Sequence, residues 1–206
     1  MKDSLIIFAC LIGGGLVGYF MGDNVPAILL DSRTSMFVIY ILLFVIGLNL
    51  GTDMEKVKLM LKMPWIIWTL PVFTCIGSIC GAAFMTLFTP GISGLEGAAI
   101  GAGLGWYSLS SIIIGSYGAA SLATVALISN IIREATALLM VPLIGNKIGP
   151  MASISLCGAN SADVCLPVVQ KSVGASYTIP SIFHGIVTNI LVPVLVGFFC
   201  ELIYVI

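Results

Sequence analysis

The sequence predicts an all-α, polytopic membrane protein with about seven transmembrane segments, two of them interrupted near the bilayer midplane. Three observations lead there. The mean hydropathy is +1.17, and 59% of the 206 residues are hydrophobic while only 8% are charged. A soluble domain of this size cannot hide that much apolar surface. Apolar runs of roughly 20 residues, the length that crosses a hydrocarbon core, recur along the whole chain. Finally, Arg133-Glu134 and Asp163 lie inside such runs. Burying a charge there costs about 2.5–3.5 kcal/mol on insertion scales, so intramembrane charges point to a conduction or transport site.

The first segment, 5–22, begins like a secretory leader, with Lys2 before the apolar run Leu5–Ile12. No Ala-x-Ala-like cleavage pattern follows, and Gly13-Gly14-Gly15-Leu16-Val17-Gly18 extends it to spanning length, so it is read as a helix. The others are 35–51, 64–88, 95–117, 120–144, 152–170 and 180–205, joined by short polar links such as Asp23-Asn24-Val25-Pro26. No link is long enough for a soluble domain, which makes residues 1–206 a single transmembrane domain. Lys56, Lys58 and Lys62 form the densest basic cluster and assign the 52–63 link to the cytoplasm, with Arg33 and Lys147 opposing that orientation.

Small residues recur every four positions at Gly14/Gly18/Gly22, Gly97/Gly101/Gly105, Gly77/Gly81 and Gly47/Gly51. Such ladders let helix backbones approach closely in lipid, and the first suits contact with another subunit.

Segments 95–117 and 152–170 do not read as uniform helices. In the former, Gly101-Ala102-Gly103-Leu104-Gly105 leads into Trp106-Tyr107-Ser108-Leu109-Ser110-Ser111; in the latter, Gly158-Ala159-Asn160-Ser161-Ala162-Asp163 precedes Pro167. Glycine and proline interrupt helices, and Ser, Asn and Asp offer the backbone competing hydrogen bonds. Paired interruptions in a transporter-sized chain point to a binding site, while simple kinks or re-entrant loops are the structural alternative.

Segment 120–144 supplies the other polar groups. Asn130 lies three residues before Arg133 and four before Glu134, so the three share one side of a helix. Arg133 and Glu134 point about 100° apart and each must find other partners, Asp163 being the expected one for Arg133. Arg133 could equally serve only to neutralise buried carboxylates. His184 starts the last helix near the expected cytoplasmic surface and is a candidate relay or a helix-end hydrogen-bonder, as is Asn189. Glu96 and Glu201 lie near segment ends, where water solvates them.

The composition excludes several classes. No basic patch suits nucleic acid. The six cysteines sit in apolar segments without a Cys-x-x-Cys pair, and with a single histidine there is no metal-ligand spacing, so neither metal nor cofactor is expected. An intramembrane protease would need His184 with Ser108 or Ser110, or Glu134 with Asp163; no Gly-x-Ser-x-Gly elbow exists, and an arginine beside the carboxylates does not suit a shared-proton pair.

The chain resembles the lysine exporter (LysO) family of bacterial inner-membrane proteins. The resemblance rests on Leu43-Phe44-Val45-Ile46-Gly47-Leu48-Asn49-Leu50, Gly105-Trp106-Tyr107-Ser108-Leu109-Ser110 and Arg133-Glu134 with Pro142 downstream. It continues through Leu156-Cys157-Gly158-Ala159-Asn160-Ser161-Ala162-Asp163, Leu166-Pro167-Val168, His184-Gly185 and Leu191-Val192-Pro193. It covers nearly the whole chain, which matches only the C-terminal two thirds of the full-length single-chain exporter. That implies a small membrane-protein partner or a homodimer.

The resemblance also implies L-lysine as substrate. Exporting one positive charge from an inside-negative cell works against about 2.3 kcal/mol per 100 mV, and exchange for an incoming proton cancels that electrical work. Glu134 and Asp163 are the expected ammonium and proton sites, with Asn130, Asn160, Ser161, Tyr107, Ser108 and Ser110 completing the substrate site. Arg133 is their charge partner, and the half-helix N-termini at 105–111 and 158–163 would hold the substrate carboxylate. Two alternatives stay open: a subunit that transports only with a partner, and a transporter for another cation or an organic acid.

Overall fold

The computed structural model describes residues 54–205 continuously, with scattered positions before them. The expected segments 5–22 and 35–51, the 14/18/22 and 47/51 glycine ladders and Cys10 therefore lie outside the described residues, isolated positions apart.

Every regular element among the described residues is helical: α1 (Met54–Leu61), α2 (Trp65–Met85), α3 (Gly94–Gly101), α4 (Tyr107–Ser116), α5 (Ala120–Lys147), α6 (Pro150–Cys157), α7 (Leu166–Val173) and α8 (Thr178–Tyr204). Three stretches are long and apolar enough to cross a membrane: Trp65–Phe88, Ala120–Lys147 and Ala175–Tyr204. Their outer faces carry exposed large apolar side chains such as Trp65, Phe73, Leu139 and Val194, as lipid contact demands. The chain is a polytopic helical membrane protein.

Segment 95–117 is two helices, α3 and α4, separated by five residues. A capping box starts α3. The Ser93 hydroxyl accepts from the Glu96 N–H at 3.3 Å, and the Glu96 carboxylate accepts from the Ser93 N–H at 2.7 Å. Glu96, expected to be merely solvated, is thus fixed as a helix start. Segment 152–170 is likewise α6, a 3-10 turn over Gly158–Ala162, and α7. Proline stands at the starts of both α6 and α7, where its missing N–H costs nothing.

The glycine ladders have separate fates. A Cβ on Gly101 would lie 2.6 Å from the Ser78 carbonyl oxygen, and one on Gly97 would strike Thr86, so these two bring α3 against α2. Gly105 does not continue the ladder, because it belongs to the break. Gly77 and Gly81 face open space among the described residues. Leu104, Leu109, Ile113, Ile114, Leu122, Ala126, Val192 and Val196 pack as one apolar cluster around the first break. Ala137, Val141, Ile154, Cys157, Cys165 and Val169 join α5 to α6 and α7. Cys75, Cys157, Cys165 and Cys200 are buried as expected, whereas Cys80 is exposed; all five are free thiols.

Candidate functional site

The two breaks meet. The Ala159 N–H donates to the Leu104 carbonyl at 2.9 Å, and the Asn160 side-chain amide donates to the Gly105 carbonyl at 3.4 Å. Interrupting a helix strands backbone groups that cannot stay unpaired in an apolar interior. Here each break satisfies part of the other. The geometry requires unusual backbone: Leu104 has φ 49° and Gly105 φ 96°, and Gly158 has φ 59°. A side chain on Gly158 would strike the Leu104 carbonyl oxygen, so only glycine permits the approach.

Asn130 braces the first break from α5. Its Oδ1 accepts the Gly105 N–H at 2.8 Å, and its amide donates to the carbonyls of Ala126 at 3.0 Å and Ile100 at 3.3 Å. It is buried, and the Ser110 hydroxyl at 3.5 Å is its fourth neighbour. Ser110 in turn donates to the Tyr107 carbonyl. Both residues, expected to line the substrate site, spend their hydrogen bonds on the scaffold.

Arg133 and Glu134 diverge around the second break. The Glu134 carboxylate lies beside the Asn160 side chain and close enough to Asp163 to interact electrostatically. Tyr107 neighbours both acids. Asp163 itself is exposed, in the bend between the 3-10 turn and α7, rather than buried as its sequence setting suggested. Ser108 is exposed too. Arg133 turns the other way. Its Nη1 donates to the Ser78 hydroxyl at 2.6 Å, and Ser78 passes its own proton to the Gly101 carbonyl at 2.7 Å. The expected Arg133–Asp163 pairing is therefore replaced by a contact with α2 and the C-terminal end of α3, where a helix favours positive charge. One helical position separates the two outcomes: adjacent residues leave a helix about 100° apart.

His184 is fully buried in α8, two turns from its start, not at a surface as its sequence setting suggested. Its Nε2 lies 2.9 Å from the Thr74 hydroxyl and its Nδ1 2.9 Å from the Ser161 hydroxyl. The direction of the second bond follows from its neighbour. Ser161 donates to the Ser181 carbonyl at 3.1 Å, so towards the ring it accepts. We therefore assign the proton to Nδ1; Nε2 of the neutral ring then shares the Thr74 hydroxyl proton with the Leu70 carbonyl, also 2.9 Å from that hydroxyl, and Thr74 accepts from Ser155 at 2.6 Å. Ser181 closes the cluster by donating to the Ser161 carbonyl at 2.6 Å. Ser161, expected at the substrate site, thus faces His184, and Asn189 reaches the Ala159 carbonyl from α8 at 3.4 Å.

Thr74, Ser78, Ser155 and Ser181 were not singled out by their sequence. A signal existed for two of them, since Thr74 and Ser78 are hydroxyl residues four apart on one face of a helix whose only other hydroxyl is Thr69. Among the described residues no cluster of His, Cys, Asp and Glu could hold a metal ion.

The sequence profile described as "Lysine exporter LysO" matches residues 8–200. The chain belongs to the lysine exporter LysO family. It is 29% identical to the protein named "Lysine exporter LysO" of Escherichia coli (strain K12) over 193 residues, 92% of this chain and 62% of that one. It is 33% identical to a Haemophilus influenzae (strain Rd) protein named "Putative lysine exporter" over 198 residues, 94% of this chain and 96% of that one. The chain thus spans less than two thirds of the Escherichia coli relative and nearly all of the Haemophilus one. No solved structure matches it. LysO proteins are membrane exporters rather than enzymes, and membership together with the three membrane-length helices places the chain in the bacterial inner membrane.

Proposed function

We propose that this LysO-family chain exports L-lysine by exchange for protons, with Glu134 as the central cation and proton site and Asp163 beside it. The observation that carries this reading is the position of Glu134. Its carboxylate lies against Asn160, in the break that hydrogen-bonds the other break, in a chain whose relatives are named lysine exporters. A carboxylate in such a place binds either an ammonium group or a proton, and exclusion of one by the other couples their movements. Tyr107 and Asn160 flank it as neutral hydrogen-bonding groups. Asp163, on the exposed side of the turn, would be the first carboxylate that an approaching cation meets. Asn130, Ser110 and Ser161 act in this scheme by holding the breaks in place.

The test is flux of labelled lysine in reconstituted vesicles under an imposed pH gradient. Wild-type protein should accumulate lysine when the gradient drives protons the opposite way. Glu134→Gln and Asp163→Asn should give folded, monodisperse protein without that flux. Undiminished pH-driven exchange in either variant would sink the corresponding assignment.

A second reading rests on the length relation to the Escherichia coli relative, of which the match covers 62%. In that reading the chain transports only beside a small membrane partner or a second copy. Vesicles holding this chain alone would then be silent, and adding the partner would restore exchange.

A further inference from the structure

A cavity of about 450 Å³ opens between α2, α5 and α6, with Arg133 in its lining and Glu134 outside it. Its size falls within the range of about 300–1,000 Å³ usual for small-molecule sites. The walls are largely aliphatic and aromatic, including Phe73, Ile144 and Leu156, and the polar groups are Thr74, Ser78, Ser155 and Arg133. No carboxylate lines it among the described residues. A guanidinium carries five N–H donors, and its recorded hydrogen bond engages one of them, Nη1 to Ser78. The bond from Ser78 to the Gly101 carbonyl fixes that arrangement, so the fork is aimed and held rather than free to snorkel.

A positive fork in an open, largely apolar site, with no counter-charge among the described residues, suits a ligand that brings a carboxylate on an aliphatic chain. We propose that the Arg133 cavity binds the α-carboxylate of the transported amino acid, an inference that rests on the amino-acid export reading above. The hydroxyls of Thr74 and Ser155 complete the receptor. In this division of labour the α-carboxylate goes to Arg133, the α-ammonium stays beside it on the same carbon, and the ε-ammonium at the far end of the side chain goes to Glu134 and Asp163. It also replaces the expected role of the half-helix N-termini as the carboxylate site.

The chemistry would equally admit a fatty acid from the bilayer, so the test compares sources. Purified protein in detergent is titrated with lysine, with lysinamide, which lacks the carboxylate charge, and with laurate, and binding is read by calorimetry. Wild-type protein should prefer lysine over lysinamide by at least about tenfold, the size of a charge-assisted hydrogen bond. Arg133→Gln should erase the preference by weakening lysine and sparing lysinamide, Arg133→Lys should restore part of it, and Ser78→Ala should reduce it while leaving the guanidinium in place. An equal affinity of wild-type protein for lysine and lysinamide would overturn the proposal. So would Arg133-dependent binding of laurate without Arg133-dependent binding of lysine. Should Arg133→Gln fail to fold, Ser78→Ala carries the same comparison, and an unchanged preference there would overturn the fixed-fork geometry. Because binding is measured without a pH gradient, failure of proton exchange in vesicles would leave these outcomes distinguishable.

Discussion

The Leu104 carbonyl accepts the Ala159 N–H at 2.9 Å, the backbone bond that ties the two interrupted helical segments together. Leu104 reaches it in a left-handed conformation, φ 49°, that a leucine avoids without compensation. The compensation is on view: its side chain is fully buried in the apolar cluster around the break. Strain of this kind costs about 1–3 kcal/mol and persists only where the surroundings over-determine it.

Gly158 is the other half of that contact. Gly158→Ala would place a Cβ against the Leu104 carbonyl oxygen and 3.0 Å from an Arg133 nitrogen, at a φ of 59°. We expect a loss of at least about 2 kcal/mol, read as a lower unfolding temperature in detergent and a poor yield of folded protein. Gly81→Ala is the control. Its Cβ would meet nothing within 4 Å, so helix propensity alone acts and stability should hold or rise slightly.

Asn130 offers a cleaner measure of what the first break needs. Asn130→Leu keeps the bulk but strands the Gly105 N–H, which the amide oxygen now serves, while the Ile100 carbonyl keeps its bond from the Gly103 N–H. A buried group left without its partner costs about 1–3 kcal/mol. Thermal unfolding should report a loss of that size. Asn130→Asp, which keeps an acceptor for Gly105, should lose less in this assay if the carboxyl stays protonated.

For His184 the prediction concerns which nitrogen holds the proton. Nitrogen-resolved NMR of labelled protein should show the neutral ring protonated at Nδ1, because Ser161 spends its own proton on the Ser181 carbonyl. The opposite tautomer would mean that the Ser161 and Thr74 hydroxyls point otherwise than assigned. His184→Leu should destabilise the protein by removing two buried hydrogen bonds, and His184→Gln should recover part of the loss.

Tyr107 stands beside both acids without a recorded bond of its own to either. Tyr107→Phe should therefore fold normally and lower lysine flux only a few-fold, far less than Glu134→Gln. A complete loss of flux would promote Tyr107 from a flanking group to a direct ligand.

Much of this arrangement was legible in the sequence, for physical reasons. The separation of α3 from α4 and of α6 from α7 shows as glycine, proline and short polar residues at places where an apolar helix would otherwise run on. The contents of the site were harder to foresee. Arg133 and Glu134 announce themselves by their cost, yet which way each turns depends on the angular setting of α5 against α2 and α6, which no local pattern encodes. Asp163 looks buried because its neighbours in sequence are apolar, but it sits on the outer side of a turn. His184 looks like a helix end because Pro180 and Gly185 flank it, whereas α8 runs through both. The hydroxyl residues around it matter through contacts 23 and 110 positions away along the chain, which periodicity cannot see.

The divergence of Arg133 and Glu134 has a mechanical side. One peptide bond joins them, and their head groups separate to Ser78 of α2 and to Asn160 of the second break. Any roll of α5 about its long axis would therefore shift both head groups at once. The settings of the two opposite charges are coupled through one rigid helix, so neither contact can be altered by such a roll without disturbing the other.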